Sequence, residues 1–160
     1  MQAAYAVACR GYNPPVAGEE MDVAAVLDKL QTALSLQYRS ALQYTLTSGS
    51  IFGLEFQGLG TQMWDFGQLE LEDVRLLVEK IASLGGEPTG EVAELSWTGD
   101  PAGAVEWLIE TESEAVAALK DVISDTGQEG RSEALEHVLE HLIMRKQHQV
   151  DFLIRARREP

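Results

Sequence analysis

The sequence has little cysteine, few basic residues and no long apolar run. Its one cysteine, Cys9, cannot form an intramolecular disulfide, which fits a reducing compartment and argues against a disulfide-stapled secreted scaffold. Lysine and arginine total 12 against 26 aspartates and glutamates, and the formal charge of −14 disfavours a nucleic-acid partner. No apolar run approaches the roughly 20 residues that cross a bilayer, and residues 1–8 lack the basic flank of a secretory signal. We therefore expect a cytoplasmic protein with no membrane partner.

Strand-like alternation is also absent, and apolar residues recur instead at intervals of three and four. The 160 residues, 45% of them hydrophobic, suffice for one compact domain. Glycine and paired prolines interrupt the first 20 residues, so we predict an N-terminal arm over 1–20 and a helical domain over 21–157. The periodicity predicts four amphipathic helices, from about 21 to 49, 59 to 84, 101 to 125, and 132 to beyond 153.

Local signals mark the ends of these helices. Asp22 and Asp100 are suited to cap the first and third helices, and Pro101 fits the first turn of the third. Gly85-Gly86 provides a left-handed exit from the second helix. Short turns join the helices of each pair, whereas the polar stretch 87–98 is a long connection between the pairs. The sequence therefore predicts an all-α four-helix bundle made of two helical hairpins and a long crossover.

Polar residues interrupt the apolar stripe near the middle of each predicted helix. In the third helix the stripe advances in steps of four and three, and Glu112 occupies one of its positions. Burying an unpaired charge costs several kcal/mol, so polar residues in this phase favour one shared cluster. Their placement matches that of carboxylate-bridged di-metal sites in bundles. In helix order, the set is Gln37, then Glu70 and Asp73, then Glu112, then Lys146 and Gln149.

Other placements are open at this point. Taken alone, Lys146 or Gln149 also fits the rim of the stripe, with its polar head in water. A rotation of the fourth helix by one position would instead bring Arg145 and His148 inward and make His148 a ligand. The spacing of His137 and His141, four residues apart, suits metal chelation but is also typical of a solvated face.

Four segments together resemble the ferritin-like superfamily, and bacterioferritin and ferritin are the most similar members. The segments are LSLQYRSALQY, ELEDVRLLVEKIASLGGEP, LIETESEAVAALKDVI and HQVDFL, and the resemblance extends from about 26 to 153. It implies a ferritin-like bundle. In that family four glutamates and two histidines hold two irons that oxidise ferrous ion. The matching positions here are the six polar residues of the cluster, of which only Glu70 and Glu112 keep the family residue. Tyr44 matches a tyrosine phenol that lies near the two irons in that family.

The resemblance thus implies an altered di-iron centre. Glu70, Asp73 and Glu112 supply three negative charges. Lys146 offsets one of these charges and leaves two. The site would then hold either no metal or one divalent ion, for which iron is the first candidate. Leu71 stands where haem-binding bacterioferritins carry methionine, so we expect no haem.

Two functions of different classes follow from the resemblance. In the first, Lys146 bridges Glu70 and Glu112 without metal, because an ammonium has three donors and no lone pair. Gln37 and Gln149 would satisfy the remaining lone pairs, and the protein would be a structural or partner-binding module. In the second, Glu70, Asp73 and Glu112 bind iron and support a ferroxidase-type oxidation.

The same resemblance bears on assembly. Family cages often use a short fifth helix, for which the chain after Leu153 leaves no room. We therefore expect no fifth helix and a homodimer, with co-assembly with a ferritin-like paralogue as the other arrangement. The apolar residues Ile51, Phe52, Leu54 and Phe56 are candidates for the contact.

Overall fold

Four α-helices make up most of the computed structural model, which describes residues 20–51 and 53–157. A short 3₁₀ helix, Leu54–Phe56, precedes the second of them, and the described residues contain no strand. The prediction of an all-α four-helix bundle is confirmed. All but the last residue of the expected arm 1–20 lies outside the described residues. The helices are α1 (Val23–Ser50), α2 (Gln57–Ser83), α3 (Pro101–Ile123) and α4 (Gly130–Arg157).

The helix ends follow the local signals in the sequence. The Asp22 carboxylate accepts a hydrogen bond from the backbone N–H of Ala25 at 3.1 Å, and the Asp100 carboxylate accepts one from Gly103 at 2.8 Å. Gly85 has φ of +85°, the left-handed conformation expected after α2. The periodicity did not predict the 3₁₀ helix, and α2 and α4 each begin two residues earlier than expected.

The connection between α2 and α3 runs the length of α1. Its first hydrogen bond to α1 runs from Gln31 Nε2 to the carbonyl of Glu87, and its last joins Trp97 Nε1 to Ser50 Oγ. Helix α3 therefore starts beside the end of α1 and runs antiparallel to it, so that Asp121 meets Lys29 at 3.2 Å. The long crossover between two helical hairpins is confirmed. Within the described residues, no helix is both long and apolar enough to span a membrane.

The core consists of two apolar clusters separated by a polar layer. One cluster lies toward the start of α1 and includes Leu30, Leu77, Leu119 and Leu139. The other lies toward the end of α1 and includes Tyr44, Met63, Phe66, Leu108 and Leu153. Along every helix, the polar residues singled out by the sequence fall between the members of these clusters. The apolar packing therefore positions a polar layer at the middle of the bundle.

Candidate site at the centre of the bundle

A buried ammonium bridges two carboxylates in this polar layer. Lys146 Nζ of α4 lies 2.6 Å from Glu70 Oε2 of α2 and 2.7 Å from Glu112 Oε2 of α3. It also donates a hydrogen bond to Ser40 Oγ of α1 at 3.0 Å. All three charged side chains are 0% exposed. The three donors of the ammonium therefore meet three acceptors, one from each of the other helices.

The three charged residues, Glu70, Glu112 and Lys146, form a triad and interact electrostatically. Burial raises the pKa of Glu112, and the charge of Glu70 raises it further, whereas the ammonium of Lys146 opposes the shift. Burial lowers the pKa of Lys146, but the charges of Glu112 and Glu70 outweigh burial and raise the pKa above its usual value. Lys146 therefore remains an ammonium at neutral pH and supplies the counter-charge that the buried carboxylates require.

The two glutamines of the layer differ in their contacts. Gln37 donates hydrogen bonds to Glu70 Oε2 and, at 3.2 Å, to the backbone carbonyl of Glu70. Gln149 is 1% exposed, and its amide has no hydrogen-bond partner among the described protein groups. The expectation that both glutamines satisfy carboxylate lone pairs therefore holds for Gln37 and not for Gln149.

Tyr44 lies beside the triad at the edge of an apolar cluster. Its ring is fully buried and meets Phe66 edge to face, with the ring centroids 5.6 Å apart. Its hydroxyl has no hydrogen-bond partner among the described groups. Burial raises the pKa of Tyr44 well above its usual value, and the charges of Glu112 and Glu70 act in the same direction. The phenol is therefore held in its neutral form.

Asp73 is paired separately from the triad. Its carboxylate is 0% exposed, and Oδ1 lies 3.1 Å from Arg145 Nη2, close enough for an ion pair although the two are not aligned as a hydrogen bond. Burial raises the pKa of Asp73 to about 6, against the opposing charges of Arg145 and Lys146. The sequence placed Arg145 inward only if α4 were rotated, so this partner of Asp73 was missed. The sequence feature that could have identified this partner is the length of the arginine side chain, because its guanidinium can reach a neighbouring helix from a partly exposed position.

The histidines lie outside the layer. His148 is exposed, so the rotated phase of α4 that would make it a ligand is wrong. His137 is also exposed, with Nδ1 3.5 Å from Glu140 Oε2. His141 Nε2 lies 2.8 Å from Arg145 Nη2. Both are on the outer side of α4, which is the solvated face that the sequence left open as an alternative.

The donors of the layer do not fit a two-metal centre. Lys146 contacts one oxygen of each bridging glutamate and has no lone pair to offer a metal. Asp73 faces Arg145 rather than the triad. Across residues 20–51 and 53–157, no three His, Cys, Asp or Glu side chains are grouped so as to hold a metal ion. Glu70, Asp73 and Glu112 therefore do not meet as one ligand set.

The apolar residues expected to mediate assembly differ in exposure where the structure describes them. Leu54 is 86% exposed, whereas Ile51 and Phe56 are half-buried at the α1–α2 turn. Phe52 lies outside the described residues. Among the described residues of this turn, Leu54 is therefore the most exposed apolar side chain.

Residues 27–156 match the family model named Ferritin, whose description is a ferritin-like domain. No curated protein matches the sequence.

Several solved structures share the fold at low sequence identity. A ferritin-like, diiron-carboxylate protein from Bacillus anthracis has a TM-score of 0.80 at 21% identity, with 86% of this chain and 98% of that chain covered. A Rhodobacter capsulatus bacterioferritin, described with a metal-free dinuclear site and haem iron, has a TM-score of 0.74 at 20% identity, with 84% of each chain covered. A dodecameric thioferritin from Bacteroides fragilis has a TM-score of 0.75 at 15% identity, also with 84% of each chain covered. At these identities the likeness is one of fold.

Proposed function

The chain belongs to the ferritin family, and from that premise we propose that it is a structural or partner-binding module in which a buried ammonium replaces the metal pair. The observation that carries this proposal is the position of Lys146 Nζ, at 2.6 Å from Glu70 and 2.7 Å from Glu112. A metal that bridged the same oxygens would have to displace the ammonium. The alternative function is an iron-binding, ferroxidase-type protein that uses Glu70, Asp73 and Glu112.

The charge of the layer supports the metal-free reading. Glu70 and Glu112 are offset by one ammonium, and Asp73 is offset by Arg145. Three carboxylates and two cations leave one net negative charge. Two divalent ions carry four positive charges, so they would add a large uncompensated charge to a site with no exposed carboxylate. The donor set also lacks the imidazoles and the additional carboxylates that such ions prefer.

A metal-binding assay tests the proposal. The purified protein is incubated with ferrous ion under anaerobic conditions and desalted, and its iron content is measured before oxygen is admitted. We expect far less than one iron per chain and no oxidation above that of free ferrous ion. Stoichiometric iron and rapid oxidation, both lost in Glu112→Ala, would establish the ferroxidase alternative instead.

Restoring the ligands gives the complementary test. We expect Lys146→Glu combined with Gln149→His and Asp73→His to raise iron or zinc binding to about one ion per chain or more. A matched control makes the same three types of change at exposed positions on three different helices: Lys120→Glu, Gln147→His and Asp65→His. If the first triple variant folds, as judged by circular dichroism, and binds no more metal than the control, the assignment of the site is refuted.

A further inference from the structure

Five buried polar atoms beside the triad have no hydrogen-bond partner among the described protein groups. They are Glu70 Oε1, Glu112 Oε1, the hydroxyl oxygen of Tyr44, and the oxygen and nitrogen of the Gln149 amide. The four side chains come from four different helices, and each is at most 1% exposed. We call these five atoms the unpaired group. Because buried polar groups in folded proteins are almost always hydrogen-bonded, a set of this size in one layer indicates a shared partner.

The positions of these residues place the unpaired group toward the apolar cluster that contains Leu153. On α4, Gln149 follows Lys146 by three residues and precedes Leu153 by four. On α1, Tyr44 follows Ser40 by four residues, and Ser40 accepts a hydrogen bond from Lys146. Residues three or four apart lie on the same face of a helix, about one turn along its axis. Gln149 and Tyr44 therefore both lie one turn beyond the ammonium, on the same side of it.

The two glutamates direct one oxygen each to the ammonium and leave the other unpaired. Glu70 Oε2 and Glu112 Oε2 lie 2.6 and 2.7 Å from Lys146 Nζ, whereas neither Oε1 atom has a partner. Burial and, after it, the charges of Glu112 and Glu70 raise the pKa of Tyr44, so the phenol lies close to both carboxylates. The unpaired group therefore faces one region of the core, between the triad and the apolar side chains around Tyr44.

The unpaired group needs a partner that both donates and accepts hydrogen bonds. An ionised carboxylate oxygen only accepts, and the amide nitrogen of Gln149 only donates. A metal or alkali ion binds oxygens but accepts no hydrogen bond from an amide nitrogen. Water both donates and accepts, and a buried water in a protein typically makes about three hydrogen bonds to polar groups of this kind. Water is therefore the ligand whose chemistry suits all five atoms.

We propose that the unpaired group binds one or two internal water molecules, which donate to Glu70 Oε1 and Glu112 Oε1 and accept from the Gln149 amide. The inference rests on the proposed function, because a metal ion on the two glutamates would take the same oxygens. The water connects Tyr44 and Gln149 to the triad, so all four helices contribute to one hydrogen-bonded network. The inward position of Gln149, which contacts neither glutamate directly, then has a role, because its amide holds the water.

Nuclear Overhauser effects between water and side-chain amide protons test the proposal in ¹⁵N-labelled protein. We expect a cross-peak from long-lived water at the Gln149 amide. The Gln37 amide is an internal control that should show none, because its nitrogen already donates to Glu70. A crystal structure at about 1.5 Å resolution should also show a water oxygen about 2.6–3.2 Å from at least three of the five atoms.

Two double variants make the assignment specific. Gln149→Met combined with Tyr44→Phe removes three of the five atoms and changes the shape of the side chains little, so we expect it to lose the ordered water. The matched control, Gln147→Met combined with Tyr38→Phe, makes the same changes outside the polar layer and is expected to retain the water. Circular dichroism establishes that both variants are folded.

The wild-type measurements decide the proposal by themselves if the first double variant does not fold. Three results refute it: no water cross-peak at Gln149, a direct hydrogen bond from its amide to Tyr44 or a glutamate, or water retained in the folded first variant. An ion in place of the water, recognised by oxygen neighbours closer than about 2.6 Å, also refutes it. If that ion is iron, the proposed function fails as well, whereas a metal-free site without water refutes the water alone.

Discussion

Replacing Lys146 with methionine removes the ammonium and keeps a side chain of similar length. The change deletes the contacts to Glu70 Oε2, Glu112 Oε2 and Ser40 Oγ, which are 2.6, 2.7 and 3.0 Å long. Both carboxylates remain fully buried and lose their counter-charge. Asp73 has its own cation, Arg145, and is affected less.

The expected loss is about 3–5 kcal/mol at neutral pH, the usual cost of removing one partner of a buried ion pair. A domain of this size is stable by about 5–15 kcal/mol, so the variant is expected to fold with a large deficit. Without the ammonium, nothing opposes the effect of burial, which raises the pKa of Glu112 above its value in the unfolded chain. The native variant then binds more protons than the unfolded chain, so its stability falls as pH rises. The deficit is therefore expected to be small near pH 4 and largest at pH 7–8.

Urea unfolding followed by circular dichroism between pH 4 and pH 8 measures this deficit. Lys120→Met, at an exposed position of α3, is the matched control and should change stability by about 0.5 kcal/mol or less. Adding Glu70→Gln and Glu112→Gln to Lys146→Met removes both buried charges and should recover most of the loss. A deficit below about 1 kcal/mol at pH 7, or one that is the same at every pH, would show that Lys146 is not the counter-charge of these carboxylates.

Three other changes test the surroundings of the triad and the end of α2. Burial raises the pKa of Asp73 from 3.8 to about 6, so the native protein binds a proton at this carboxyl more tightly than the unfolded chain does. The stability that this proton gives to the native protein is lost as pH rises from about 4 to 6. In urea unfolding, Asp73→Asn should match the stability of the wild type near pH 4 and be more stable than the wild type at pH 7; a difference independent of pH contradicts this. Arg145→Met should raise the pKa of Asp73 further, moving the wild-type loss to higher pH; an unchanged pH profile would exclude Arg145 as its partner. Gly85→Ala, at φ of +85°, should cost about 1 kcal/mol in thermal melting, against almost nothing for Gly90→Ala.

Helix existence and phase were predictable because both depend on local pattern. The three-and-four spacing placed Glu112 and Lys146 on the inner faces of α3 and α4, and both are 0% exposed. Caps at Asp22 and Asp100 fixed two starts through hydrogen bonds that a side chain makes within its own first turn. The 3₁₀ helix before α2 has no comparable signal in the sequence, because its three residues are too few to show a periodicity. The structure shows that Gly53, which precedes it, adopts φ of +113°.

The pairing of side chains across helices was less predictable. Spacing places Asp73 on an inner face but does not say whether Lys146 or Arg145 is its cation, because that choice depends on side-chain conformation between α2 and α4. Ser40 was missed for a related reason. It follows Gln37 by three residues and so shares its face, but a serine in an apolar stripe carries little signal by itself. Gln149 shows the converse case: its side chain is buried, and its amide has no hydrogen-bond partner among the described residues.

The polar layer also specifies how the helices align. Lys146 lies between two apolar clusters, and its three acceptors come from three other helices at the same level of the bundle. Sliding α4 by one turn would carry the ammonium about 5.4 Å along the bundle axis, into an apolar cluster and away from Glu70 and Glu112. Each separated charge would then lose its partner at a cost of several kcal/mol, whereas leucines exchanged between equivalent positions would cost much less. The charged residues of this layer therefore select one alignment of the four helices.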